Sequence, residues 1–482
     1  MKKYIMIILF TGIVFSCDER FDDLNTSKKD PANVPGETLF ANGMREMFDQ
    51  MTNANVNQNV FRLYAQYWAQ ATYPEESQYS MVGRRIPDNI FTVCYRDALK
   101  DMTDGRKVVA DNPDAEASAA TNANRLAIMD IFITYTYMYL VDIFGDVPYS
   151  QALDPDKIAP AYDDARGIYD NLIAGLNTAI NTLDVSADGI TADQDPVYHG
   201  DVTGWLKFAN SMKLRMAMML ADVDAAKSKS MVSEALASGV ISSPGENTAI
   251  TYQSGAPNTN ALYEDLVISG RKDFLPANTL VDVMNGFNDP RGDVYFSDPV
   301  SGAYLGAIYG DANSYAAFSH IGSMFYVADL PGTIMTNSQV LFLLAEAAAR
   351  GYSVPKSAEE YYNEAILTNM EEWGVDAGDA AAYLAQPEVA YTTADGGSGD
   401  WKQIIGIQAW IGSYNRGFEG WTLWRRLDFT AFAPPPDLTY ADIPVRLIYP
   451  INEATLNGDN VKAAGAKIGG DSPSTKLFWD KF

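Results

Sequence analysis

Cysteine and histidine are nearly missing from this chain. Two of each, Cys17 and Cys94, His199 and His320, in 482 residues supply neither the thiols for a disulfide framework nor the ligand density for a Cys/His zinc cluster. The two histidines lie far apart in sequence, so no Ser-His-Asp or Cys-His nucleophilic arrangement is suggested. Positive charge is also scarce: 35 Lys and Arg against 62 Asp and Glu leave a net charge of −27. Nucleic acid, whose phosphates require clustered cations, is excluded as a partner, and so is charge-driven docking on anionic lipid. The chain has no Gly-rich phosphate cradle, HExxH pair, nucleophile-elbow pentapeptide or EF-hand spacing. No cofactor and no metal are therefore expected. Carboxylate pairs are inevitable among so many acidic residues, and their separation across a cleft, which a glycosidase requires, is not readable from sequence.

What is present is apolar periodicity. Hydrophobic residues make up 47% of the chain and charged ones 20%, a globular composition. The stretch Thr121 to Tyr149 places Leu126, Ile133, Tyr137, Leu140, Val141 and Phe144 on one helical face, and Ile128, Ile131, Phe132 and Tyr135 make much of the remaining circumference apolar. This is a central helix with neighbours on several sides. Thr121 or Asn122 can cap its start, Gly145 suits the turn past its end, and Pro148 forbids resumption. A transmembrane reading fails because Asp130, Asp142 and tyrosine hydroxyls would sit in hydrocarbon.

Further helices are expected over Thr38–Met51, Asn59–Ala71 and Asp97–Ala110. The central helix is followed by an amphipathic partner carrying Tyr169, Leu172, Ile173, Leu176 and Ile180. Trp205–Leu220 with Ser228–Gly239 forms a second pair, whose methionine cluster is read as packing. Val340 to Ala348 forms a third with the helix opened by the capping box Ser357–Glu360. Helix, turn and helix occupy about the span of a tetratricopeptide unit, so the pairs read as degenerate repeats embedded in one domain.

At the amino terminus, Lys2 and Lys3 precede an apolar run from Ile5 to Phe15, the pattern of a signal peptide over residues 1–16. Val14-Phe15-Ser16-Cys17 looks like a lipobox, which makes Cys17 the acylated first residue of a mature lipoprotein. Residues 17–36, polar and turn-rich, form the tether, and residues 37–482 the folded domain. Cys94 reads as a buried small apolar residue.

Two loops concentrate aromatic rings beside polar residues. Tyr73 and Tyr79 lie within ATYPEESQYS, with Trp68 just before it, and Tyr304, Tyr309, Tyr315, Phe318 and Phe325 punctuate the irregular segment Gly245 to Pro331. Sugar rings stack on aromatic faces while their edge hydroxyls bond to polar side chains. Trp68, Tyr73, Tyr79, Tyr309 and Tyr315 are thus the candidate ligand contacts, although rings at helical spacing equally serve as core.

Several stretches carry a family resemblance. Leu140–Tyr149 (LVDIFGDVPY) resembles a signature of the SusD/RagB family of Bacteroidetes nutrient-binding lipoproteins, and Phe21–Pro35 resembles the amino-terminal entry of its SusD-like branch. Gln408, Trp410, Gly417, Glu419, Trp421, Trp424, Arg425 and Arg426 occupy the positions of the family's Q-x-W-I … G-x-E-x-W-x-x-W-R-R segment, and Val445–Val461 resembles its closing motif. Asp18-Glu19 and Asp22-Asp23 resemble the acidic export tag of surface lipoproteins in that phylum. The resemblance implies a mainly α SusD-like fold and a lipid-anchored location on the outer membrane, exposed at the cell surface. It also implies partnership with a SusC-like TonB-dependent transporter to which oligosaccharide, or in some members peptide, is delivered without catalysis. A surface glycoside hydrolase and an adhesive repeat protein are the alternatives. Arg425 and Arg426 read as structural clamps seeking carboxylate or carbonyl partners.

Overall fold

Residues 34–482 are described by the computed structural model. The expected signal peptide, Cys17 and the tether up to residue 33 lie outside the described residues. In chain order the scaffold comprises α1 (Gly36–Thr52), α2 (Phe61–Tyr64), the strand β1 (Trp68–Gln70), α3 (Lys100–Asp111) and α4 (Ala119–Phe144). Next come α5 (Ala165–Thr182), α6 (Val202–Met219) and α7 (Ala225–Ser238). Short strands β2 (Phe274–Pro276), β3 (Phe296–Ser297) and β4 (His320–Ile321) precede α8 (Asn337–Ala349), α9 (Ala358–Glu372), α10 (Trp401–Gly412) and α11 (Gly417–Leu427).

The central helix is α4. From Ile128 to Phe144 it is buried around almost its whole circumference, with Asp130 and Ile133 the partly open positions. Among the described residues it is the one helix long and apolar enough to cross a membrane, but 83% of its most apolar window is buried inside the protein. Its cap lies three to four residues earlier than the sequence suggests: Ser118, not Thr121 or Asn122, is the cap, and it accepts the Thr121 amide at 3.0 Å. Gly145, at φ +86°, ends the helix; that backbone conformation is costly for any side chain. Asp130 leaves the core by pairing with Arg106 of α3.

The expected pairs form: α4 packs on α5, α6 on α7 and α8 on α9, while α6 also meets α5 and α8, so the pairs stack. The capping box of α9 is complete, since the Ser357 hydroxyl accepts the Glu360 amide at 3.2 Å and the Glu360 carboxylate accepts the Ser357 amide at 2.8 Å. The chain then folds back: α10 packs on α8, α11 on α10, and α2 on α11. Glycine sets this last approach, because a Cβ on Gly417 would stand 2.4 Å from the Arg62 nitrogen and one on Gly420 2.1 Å from the Tyr67 hydroxyl.

One expected helix is largely absent. Asn59–Ala71 yields only the single turn of α2; Gln66 then adopts φ +55° and the chain straightens into β1, antiparallel to β2. The Gln66 amide fixes this turn by donating to Ala433 O at 2.7 Å and accepting from Ala433 N at 3.0 Å. A ladder between partners two hundred residues apart overrides local helical periodicity here. The Asp97–Ala110 helix is observed as α3, entered through a π-helical stretch, Thr92–Leu99, that holds Cys94 buried and unpaired.

The motifs of the resemblance meet inside the fold. Arg215 on α6 donates to Asp142 at 2.7 Å and to both Glu419 oxygens at 3.0–3.1 Å, joining α4 to α11. Arg425 donates to the carbonyls of Asp142 and Val445 at 2.8 and 3.0 Å, and Arg426 pairs with buried Glu346. Both arginines are the clamps their sequence context suggests.

Candidate functional site

Outside the helix stack, a smaller apolar cluster forms around the β1–β2 ladder from Ala69, Ala71, Leu275, Ala277, Ala307 and Tyr309, with Tyr79, Tyr315 and Phe318 packed against it. The ladder thus gathers the two aromatic loops, which are far apart in sequence, onto one support. Asn313 reinforces the junction, donating from its side chain to Gln70 O at 3.0 Å and to Ile308 O at 2.9 Å.

Beside this support opens a cleft of about 400 Å³, within the range of small-ligand sites. Its walls come entirely from the irregular segment: the stretch Leu266–Phe274, which runs from the end of a π-helical turn into β2, the start of the β3 loop at Ser297 and Asp298, and the residues around β4. The rings lining it are Phe274, Tyr315, His320 and Tyr326. The Tyr315 ring stacks on the His320 imidazole with centroids 4.2 Å apart and planes within 16°. His320 Nδ1 meets Asp298 Oδ2 at 2.7 Å and Nε2 meets Tyr315 O at 3.0 Å, so both ring nitrogens are engaged and the imidazole is locked in place. The hydrogen bond from His320, then that from Ser297, holds the Asp298 carboxyl below the usual carboxylate range. Burial, followed by the neighbouring Tyr315 hydroxyl, pushes the Tyr326 phenol up. The Lys272 ammonium stands 5.3 Å from the Tyr315 ring centroid. This arrangement offers aromatic surface rimmed by hydroxyls and charges.

The five candidate rings fall into two groups. Tyr315, half-buried, lines the cleft, and Tyr73, 55% exposed, projects from the loop that leaves the ladder where the Ala71 amide bonds Asp273 O at 2.8 Å. The other three sit behind the wall. Trp68 is 1% exposed, donates its indole N–H to the Tyr414 hydroxyl at 2.9 Å, and packs its ring 5.3 Å from Phe274. Tyr309 is buried and donates to Leu63 O at 2.8 Å. Tyr79, its phenol pushed up to about 12 by burial, packs on Tyr64 and Tyr309. These three present no face to the cleft; they shape the wall whose surface is Phe274 and Tyr315.

Sequence reasoning missed Phe274, Lys272, His320 and Tyr326. The available signal was local: His320 follows Tyr315 by five residues in SYAAFSH, inside the segment already marked as irregular and aromatic. Two other clefts lack this lining. One of about 740 Å³ near Asp114, Asp188 and His199 contains no Trp, Tyr or Phe, and one of about 410 Å³ near Phe287 and Gln403 has its tyrosine, Tyr362, buried and committed to Val389 O.

A stack of helix pairs carrying a loop-built, ring-lined cleft defines a binding protein more readily than an enzyme. The chain belongs to the SusD-like family: residues 27–450 match that family, described as "Starch-binding associating with outer membrane". Solved structures share the fold. A chitin-binding SusD homologue from Flavobacterium johnsoniae has a TM-score of 0.78 at 22% identity, covering 92% of this chain and 98% of its own. A SusD homologue from Bacteroides uniformis has a TM-score of 0.78 at 24% identity, covering 92% and 100%. A protein described as chitin-binding has 0.76 at 25%, covering 93% and 100%. Comparison with curated protein sequences finds no significant match.

Proposed function

We propose that the protein is a non-catalytic, lipid-anchored glycan-binding protein of the outer membrane that holds oligosaccharide in the Tyr315 cleft and passes it to a SusC-like TonB-dependent transporter. Cys17 is the acylation site and residues 17–36 the tether. The observation that carries the reading is the Tyr315 ring, fixed by its stack on His320 and lining an open cleft together with Phe274. A sugar held there keeps its apolar C–H face on a ring and its hydroxyls toward Ser323, Asp298 and Tyr326. Family membership and the chitin-binding relatives support the glycan. Tyr73, on the adjoining loop, extends the contact along an oligomer.

Calorimetric titration of the mature protein with starch- and chitin-derived oligosaccharides tests this. Saturable binding without product release is expected, with Tyr315→Ala weakening it about five- to 150-fold, if a sugar ring stacks on one aromatic as strongly as a base does, about 1–3 kcal/mol. A folded Tyr73→Ala/Tyr315→Ala protein with undiminished affinity would falsify the site. Multiple turnovers of glycan hydrolysis by the pure protein would instead make it an enzyme.

A further inference from the structure

The cleft contains one cation with no carboxylate of its own. Arg271 pairs with Asp273 at 2.6 Å and His320 with Asp298 at 2.7 Å. Lys272, exposed between them, has no carboxylate partner among the described residues, and its close neighbour is the Tyr315 ring. The imidazole fills the face of that ring on which it stacks, and the Lys272 ammonium lies 5.3 Å from the ring centroid. Cation–π attraction at an exposed site is weak, and an ion pair with a desolvated oxyanion displaces it readily.

We propose, resting on the glycan-binding reading of this cleft, that it selects saccharides bearing an anionic substituent, a carboxylate or a sulfate, with Lys272 as the specificity-determining residue. When the ammonium swings to the oxyanion, it bares the Tyr315 face on which the sugar ring settles, so charge recognition and stacking occur together. A neutral glycan must displace the ammonium without replacing its partner. The net charge of −27 does not forbid this. At physiological ionic strength charges farther than about 8 Å are largely screened, and the two carboxylates that line the cleft, Asp273 and Asp298, are already engaged by Arg271 and His320.

The test is titration of the full mature chain with three probes of equal length: a neutral chitin oligosaccharide, an oligogalacturonate and a chondroitin sulfate oligosaccharide. The acidic probes are expected to bind about tenfold tighter than the neutral one, the effect of one charge-assisted contact. Lys272→Met should bring that ratio close to one, while Lys272→Arg retains it. Preference for the galacturonate identifies a carboxylate ligand, and preference for the chondroitin sulfate probe that is lost on its desulfation identifies sulfate. A ratio near one in the wild-type protein, a ratio unchanged by Lys272→Met, or tighter binding of an acidic peptide than of any glycan overturns the inference and leaves the cleft as a binding site. Absence of binding to all three glycans overturns the glycan-binding reading itself.

Discussion

Replacing Arg215 with methionine should destabilise the protein more than any surface substitution. The guanidinium is the cation between two carboxylates carried by different helices, Asp142 and Glu419, at 2.7 and 3.0 Å, and the three side chains are 3%, 0% and 9% exposed. Methionine keeps most of the volume and removes the charge. Asp142 then retains only the Tyr169 hydroxyl at 3.0 Å, and Glu419 the Gln339 amide at 3.0 Å, too little to solvate two buried anions. Breaking such a pair from one side costs about 3–5 kcal/mol. For a chain of this size, the usual per-residue unfolding entropy makes each kcal/mol worth about 1 °C, so the melting temperature should fall by about 3–5 °C. The sign of a pH dependence also follows. Burial raises the Asp142 carboxyl above its ordinary value even with Arg215 opposing, and more so without it. A carboxyl raised in the folded state favours folding when protonated, so the deficit of Arg215→Met should shrink as pH falls toward 5 and grow toward 8. Thermal and urea denaturation of both proteins across that range measures it. An unchanged midpoint at pH 8 would refute the claim that this triad ties α4 to α11.

Other substitutions separate packing from surface. Gly417→Ala puts a Cβ 2.4 Å from backbone in α2, and should cost about 1–3 kcal/mol or more in a urea titration. Gly175→Ala, on α5 with nothing within 4 Å, should stabilise by up to about 1 kcal/mol in the same titration. Trp68→Ala should lower stability by about 3–5 kcal/mol, whereas Tyr73→Ala should stay within about 0.5 kcal/mol, both read by thermal melting. Asp222 gives an acid limb. Burial would raise its carboxyl, but the Arg350 fork at 2.7 Å holds it below the ordinary value. That contribution is present above about pH 4, the ordinary Asp range, and is lost as pH falls through the depressed value. Asp222→Asn should accordingly flatten the fall of melting temperature below pH 4.

The helices were legible in sequence because three- and four-residue periodicity is a local signal. Val340, Leu344 and Ala348 show it, and so do Ser357 and Glu360 as a start signal, with α8 and α9 appearing where expected. The clamps were legible too, since a buried arginine has few acceptable partners. What was hidden depends on distant pairing. Nothing in the sequence around Trp68 announces that it joins Pro276 in a ladder, and that pairing is what turns its ring inward beneath Phe274. The irregular segment could be marked as the place of the candidate cleft, but that Tyr315 lines it and Tyr309 is buried rests on which ring the ladder leaves at the surface. Lys272 was invisible for a related reason: a lysine acquires meaning only when every carboxylate near it is found to be already paired.

The cleft hangs from β1 and β2, three residues each, and from β3 and β4, two residues each, while the long helices contribute nothing to its lining. Such attachment separates inheritance of the frame from inheritance of diet. On the proposed function, exchanges at the cleft-lining positions between Leu266 and Tyr326 retune what is captured, whereas Arg291, bonded to Asn369 of α9 and Gln408 of α10, and Tyr295, stacked on Tyr414, tie the same segment to the helices and are held by that packing. On that reading, new cargo would be acquired by changing the fourteen residues that line the cleft, with the frame beneath them left alone.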